Sequence, residues 1–395
     1  MTAAGDGLGQ AAVAGIGTAG FARSTEESVA KLADRALGLA LEDAGLARSD
    51  VDALFVHIGS PRGLDYDLLA RLLALDVRYA SQTWSHGRFT ATLLQHAALV
   101  VGAGLARCSL CLGAFRNSPF DRHGTSAFPD FVEALREGGG PHAEQPASGL
   151  AAPVGGAALS TQRYLEQYGI EREKLAAVPI AQRKAASRNP LAVLTAEISA
   201  ADYAQSPFVV EPLRRLDCSL PVDTAVAVLI TSLERARSLR ARPVRMAAFQ
   251  GMHAGPNEFV FGKPGLGVNQ RDCGPSPPLG AAEPVFARAG IGPAEVGALY
   301  CYDGFSPQVL WTLERFGFCG EGEAADWVQD GRIELGGALP VNTNGGHLSE
   351  GHSNGWGQTA EIVRQLRGEA AERQIAGCET AMWATTLGDA IVYAA

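Results

Sequence analysis

The sequence predicts an α/β protein assembled from two similar halves, and three observations carry that prediction. Short apolar runs of strand length alternate with longer stretches of helical periodicity, the grammar of a parallel, doubly wound sheet. The segment 44–57 recurs without a gap at 289–302. Glycine is in excess, 47 of 395 residues or about 12% where ~7% is usual, with no Gly-X-Y period. That excess must serve turns, tight loops and close backbone approaches.

The elements follow in order. Ala11 to Ile16 is a short apolar strand that runs into Gly17 and a polar turn. Leu32, Ala36, Leu37, Leu39 and Ala40 fall at helical spacing within a helix expected over 26–44, which Gly45 stops. Ala53 to Val56 is a second, buried strand. A long helix is expected over 90–103, closed by Gly104, and it feeds a strand at 109–112. The region 116–216 breaks the rhythm with Pro, Gly and charge, although 161–168 and 180–187 are amphipathic; it reads as an insertion or cap. Regularity returns with a strand at 224–230 and again after 244, and a last long helix is expected over 358–366. The repeat sets Ala44-Gly45-Leu46 through Asp50-Val51 and Ala53-Leu54-Phe55 above Ala289-Gly290-Ile291 through Glu295-Val296 and Ala298-Leu299-Tyr300, so each copy is a helix end, a turn and a buried strand. Residues 1–115 with 217–243 are therefore expected to form one half and 244–395 the other.

Composition narrows the function. The length allows roughly two to three domain-sized units, enough for a large core. With 47% hydrophobic and 19% charged residues and a net charge of −9, a disordered chain and a basic nucleic-acid coat are excluded. No run of about 18 uncharged apolar residues exists, and Met1 to Asp6 lacks the basic-then-apolar start of a secretory signal, so a cytoplasmic protein without a membrane span is expected. The seven cysteines are dispersed, and the one close pair, Cys108 and Cys111, lies in an apolar run; buried thiols and no metal are expected.

Ligands of open α/β sheets collect beyond the carboxyl ends of strands, and three polar, glycine-marked segments stand at such places. They are Gln82-Thr83-Trp84-Ser85-His86-Gly87-Arg88-Phe89, Tyr302-Asp303-Gly304-Phe305, and the run from Asn342 to Gly355. The third has four glycines, three asparagines and two histidines, too polar for a core, and Gly351 and Gly355 would let amides approach a ligand. His352 beside Gly351 is a candidate donor to an oxyanion. A tyrosine ending a strand is most often half-buried packing, and Ser85 could simply cap a helix, so the first two segments gain weight only from the third.

Together these segments resemble the thiolase superfamily, in the branch of sterol-carrier-protein-x thiolases and thiolase-like lipid-transfer proteins. Phe305-Ser306, Leu313 to Glu323, Asp330-Gly331, Gly336-Gly337, Leu339 to Gly346, Leu348 to His352 and Arg364 to Gly368 carry the likeness. It is most specific over 298–368, good over 11–115 and poor in the middle. The resemblance implies a duplicated αβαβα layered fold with an insertion, acyl-coenzyme A substrates and a homodimer. Thiolases place a cysteine nucleophile at the start of the first-half helix, yet no cysteine stands between Ser81 and Phe89. The family's His-Glu-Ala-Phe motif is here Tyr302-Asp303-Gly304-Phe305, and its Gly-His survives as Gly351-His352. Near the family's last cysteine loop stands Cys378, without the following glycines.

Losing the nucleophile has a chemical logic, because cleaving a β-hydroxyacyl thioester needs only a base for the hydroxyl proton and a site for the enolate oxygen. The resemblance is closest to retro-aldolases of steroid side-chain degradation, which lack that cysteine, carry this tyrosine and work with a small partner having an OB fold and a zinc ribbon. The expected enzyme is thus a carbon–carbon lyase of a coenzyme A thioester with no tightly bound cofactor. Tyr302 is its acid/base, and His352 stabilises the enolate oxygen with Asn344 or a main-chain amide. Asp303 orients Tyr302, Ser85, His86 and Arg88 line the opposite wall, and Gly346 belongs to the supporting loop. Two alternatives stay open: an acyltransferase using Cys378 or Cys301, and a non-catalytic acyl-coenzyme A-binding subunit.

Overall fold

In a computed structural model of the chain, the structure describes residues 10–58, 65–84, 88–116, 153–253 and 283–395. The first half holds β1 (Ala11–Ala22), α1 (Val29–Ala44), β2 (Ala53–Ile58), α2 (Tyr66–Leu72), β3 (Tyr79–Trp84), α3 (Arg88–Gly102) and β4 (Cys108–Arg116). Helices α4 (Pro153–Tyr168) and α5 (Ala177–Ala186) follow, then β5 (Asp223–Ser232). The rest holds β6 (Val244–Gln250), α6 (Pro284–Ala289), β7 (Ala298–Cys301), α7 (Pro307–Arg315), α8 (Trp356–Arg367), β8 (Thr380–Ala384) and β9 (Ala390–Ala394).

Nine of these strands form one sheet in the order β3-β2-β4-β5-β1-β6-β9-β8-β7. Outward from its centre the two arms match. Each begins with the first strand of its half, β1 or β6, joined to its twin by antiparallel pairing at Ala12–Arg245 and Val13–Val244. Next comes an antiparallel last strand, β5 or β9, then β4 or β8, then in parallel β2 or β7. β3 ends the first arm in parallel; in the second its place is marked by a parallel bridge between Leu299 and Val341. The expected parallel sheet is thus mixed, because a tight turn such as Thr385–Asp389 between β8 and β9 can only join antiparallel neighbours.

The repeat has a shared local cause. Helix α1 ends at Gly45 (φ 69°) and α6 at Gly290 (φ 72°), a left-handed conformation that suits glycine. The next residue reaches back in each copy, Leu46 N–H to Leu41 O at 2.9 Å and Ile291 N–H to Phe286 O at 3.2 Å. An acid then caps each following turn: Asp50 accepts from Ala47 N–H at 2.9 Å, and Glu295 from Gly292 N–H at 2.8 Å. Both turns deliver the chain into a buried strand.

Helices α3 and α8 fill the space between the arms. Ala91, Leu94 and Val101 of α3 and Ala360 and Val363 of α8 share one core with Phe55 and Val228 of one arm and Tyr300, Trp383 and Ile391 of the other. Leu32, Ala36 and Leu37 of α1 cover the outer face of the first arm, and α6 and α7 that of the second. The layers therefore run α/β/α/β/α. Strand β1 meets α1 so closely that a Cβ at Gly17 would lie 2.0 Å from Ala36 O, so part of the glycine excess serves this contact rather than a site.

Helix α4 lies against the second half, its Tyr164 hydroxyl donating to Glu314 and its ring edge-on to Trp311. From α5, Arg183 Nε–H donates to Ser349 Oγ at 3.0 Å, bringing this part of the chain against the polar loop. Among the described residues no helix is long and apolar enough to cross a membrane.

Candidate active site

The site forms where β7 ends and the loop 342–355 folds over it. Asn342, at φ +47°, fastens the two by accepting Cys301 N–H at Oδ1 (2.9 Å) and donating from Nδ2 to Cys301 O (3.1 Å). The segment 217–222 straps both from the side: Ser219 N–H donates to Gly304 O, Leu220 N–H to His347 O, and His352 N–H to Leu220 O at 2.7 Å.

Tyr302 and His352, fifty positions apart in the chain, are brought into contact, with Tyr302 Oη 3.1 Å from His352 Nε2. Burial, and then the neighbouring His347, hold the His352 imidazole well below its ordinary pKa, so it is neutral near pH 7. His347 packs edge-on against both rings, with centroids 5.0 Å from Tyr302 and 4.8 Å from His352.

Asp303, expected beside Tyr302, is engaged by His347 and Gln358. Its buried carboxylate accepts His347 N–H at 2.9 Å and Gln358 Nε2–H at 3.0 Å, and it stands 2.9 Å from His347 Nδ1. A charge buried at the first turn of the loop is best stabilised by those local donors. Gly346 makes room for it, since a Cβ there would lie 2.1 Å from Asp303 Oδ2.

Asn344 is likewise occupied elsewhere. Its Nδ2 donates to Glu350 Oε2 at 2.5 Å and its Oδ1 accepts Gly346 N–H, while Asn189 Nδ2 donates to Glu350 Oε1 and to Asn344 O. Burial pushes the Glu350 carboxyl up to about 7. Asn344 thus shapes the loop rather than facing the Tyr302–His352 pair. Ser85 and His86 lie outside the described residues, as does the side chain of Arg88, whose backbone opens α3. Gln82 to Trp84 are strand, not loop.

Neither candidate thiol is activated. Cys301 is fully buried and its thiol pushed up by desolvation. Cys378 is pushed up to about 11 and precedes β8, at the end of the strand away from Tyr302. The carboxyl end of β8 carries Thr385 and Thr386. Among the described residues no cluster of three His, Cys, Asp or Glu is placed to hold a metal ion.

Sequence reasoning missed His347, Gln358 and the clamp behind them. His57, aligned with Tyr302 in the repeat, accepts Trp356 Nε1–H at 2.8 Å, and Thr90 Oγ1 donates to Asn354 O at 2.5 Å. The first half thereby grips the loop of the second, a role the repeat alignment of His57 with Tyr302 could have suggested.

Comparison with known proteins gives the family. Residues 269–393 match the family "Thiolase C-terminal domain-like". The chain is 35% identical to a 17-hydroxy-3-oxo-4-pregnene-20-carboxyl-CoA lyase of Mycobacterium tuberculosis over 94% of its own length and 95% of the relative's. It is 31% identical to a steroid side-chain-cleaving aldolase of Thermomonospora curvata over 92% of each. A solved structure described as an Ltp2-ChsH2(DUF35) aldolase superposes with a TM-score of 0.85 at 30% identity, covering 98% of both chains. With its duplicated fold, its tyrosine in place of the motif histidine and relatives of this kind along nearly its whole length, the chain belongs to the thiolase superfamily, among the thiolase-like carbon–carbon lyases.

Proposed function

We propose that the protein is a retro-aldolase that cleaves the Cα–Cβ bond of a β-hydroxyacyl-coenzyme A without a covalent acyl-enzyme, and that the acyl group is bulky or cyclic, as the names of its relatives suggest. The contact between Tyr302 Oη and His352 Nε2 carries the reading. Tyr302 takes the proton of the β-hydroxyl as its own moves to the neutral His352; the Cα–Cβ bond breaks, a ketone or aldehyde leaves, and the electron pair stays on the thioester enolate. The proton then returns through the same pair to the enolate carbon. Because His352 Nε2 faces Tyr302, we read it as the proton partner of the tyrosine rather than as the donor to the enolate oxygen. Raised thiol pKa values at Cys301 and Cys378 speak against acyl transfer.

We read residues 1–115 with 217–243 and 244–395 as the catalytic halves and 116–216 as the cap that selects the acyl group. A homodimer, a small OB-fold and zinc-ribbon partner of the sort suggested by the two-component aldolase, no tightly bound cofactor and a cytoplasmic setting complete the proposal. Tyr302→Phe tests it. The variant is expected to fold and bind the thioester while kcat falls at least about a hundredfold; cleavage at near the wild-type rate sinks the mechanism.

A further inference from the structure

His347 has a geometry that the cleavage scheme leaves unused. Gly355 N–H donates to its Nε2 at 2.8 Å, and an imidazolium has no lone pair to accept such a bond. The ring is therefore neutral with its proton on Nδ1, which lies 2.9 Å from Asp303 Oδ1 without the alignment of a hydrogen bond. Asp303 accepts the backbone N–H of the same histidine, so the carboxylate fixes the backbone that carries the ring. Both grips are themselves supported. Gly355 follows Asn354, whose carbonyl is held by Thr90, and Asp303 is held by Gln358. The ring so fixed touches Tyr302 and His352 by its edges, and its side chain is wholly buried. Plain packing would be met by an apolar side chain without this hydrogen-bonded frame.

We propose that His347 is a positioning residue of the carbon–carbon cleavage, its imidazole fixed as one tautomer by the Gly355 N–H, and its backbone by Asp303, so that it sets the placement of the Tyr302–His352 pair. The inference rests on the lyase reading above and adds to it a residue that touches no reacting atom. Among the described residues, Tyr302 from the end of β7 and His347 from its own loop face His352. Asp303 stands behind His347, the strap presents the backbone of Leu220 and Pro221, Asp217 of the strap turns to Ser306 and Tyr203, and Glu350 turns to Asn189 and Asn344.

Two variants test the proposal. His347→Asn keeps a donor for Asp303 and loses the ring; His347→Gln keeps an acceptor for Gly355 and also loses the ring. In each, kcat with a β-hydroxyacyl-coenzyme A is expected to fall about ten- to a hundredfold with KM within about threefold, the signature of lost orientation. Folded variants with wild-type kcat, or with activity lost through a KM raised well beyond threefold at unchanged kcat, overturn the proposal. Tyr302→Phe separates the two levels: if it retains activity the lyase mechanism fails, whereas an inactive Tyr302→Phe beside fully active His347 variants removes only the role of His347.

Discussion

Glu350 illustrates how one residue in the loop 342–355 couples stability to pH. It is buried, accepts from Asn189 and Asn344, and has its carboxyl pushed up from 4.5 to about 7 by desolvation, with Glu361 adding to the effect. A carboxyl raised in this way stays protonated in the native state while the unfolded chain ionises. Its penalty is absent below about 4.5, grows as pH rises and is complete above about 7. The full penalty is about 3 kcal/mol. Glu350→Gln cannot ionise, so its stability relative to wild type should improve by that order between pH 4.5 and 8, whatever constant offset the lost acceptor introduces. Urea unfolding at several pH values measures it; a difference that does not change with pH refutes the assignment. At this scale the sequence was only partly legible. The Tyr302–His352 contact joins two residues that the motifs had marked, but the contact of Asp303 with His347 depends on a backbone N–H and a ring nitrogen lying beside one carboxylate across 44 positions, which residue types alone do not reveal.

At the scale of elements, the close approach of β1 and α1 makes a sharp demand. A methyl at Gly17 would meet Ala36 O at 2.0 Å and Ala40 N at 2.6 Å, both backbone atoms that a rotamer change cannot move. Gly17→Ala should therefore cost about 1–3 kcal/mol through displacement of α1, lowering Tm while leaving KM unchanged, since α1 covers the face away from Tyr302. A variant as stable as wild type means that the helix does not sit this tightly. The elements easiest to read were those whose local chemistry is complete, such as the helix end, acid-capped turn and strand that occur twice. Strand direction was harder, because β5 and β9 are apolar on both faces, as a buried parallel strand would be. Strand β3 was partly misread as a loop for the opposite reason. It lies at the sheet edge, and its Ser81, Gln82 and Thr83 lack an apolar alternation.

For the molecule as a whole, the two halves should unfold as one unit. Their inner faces share a core with α3 and α8, so neither half can keep that face dry alone. Polar pins add register. Arg367, in the last turn of α8, donates to Asp43 of α1 at 2.7 Å, to Ala14 O of β1 at 3.1 Å and to Arg242 O at 2.7 Å, while Gln95 of α3 donates to Gln250 O at 2.8 Å and Ala390 O at 3.2 Å in the other half. Arg367→Met keeps much of the stem and removes the head that ties second half to first, which should cost about 3 kcal/mol. Hydrogen exchange at rising denaturant tests the coupling, with α1 reporting on the first half and α7 on the second. Both sets of amides should lose protection at one denaturant concentration, and Arg367→Met should lower that concentration equally for both. If α1 stays protected where α7 has opened, or if the substitution moves only one of them, the halves are separable and the catalytic loop can open without the clamp that Thr90 and His57 place on it.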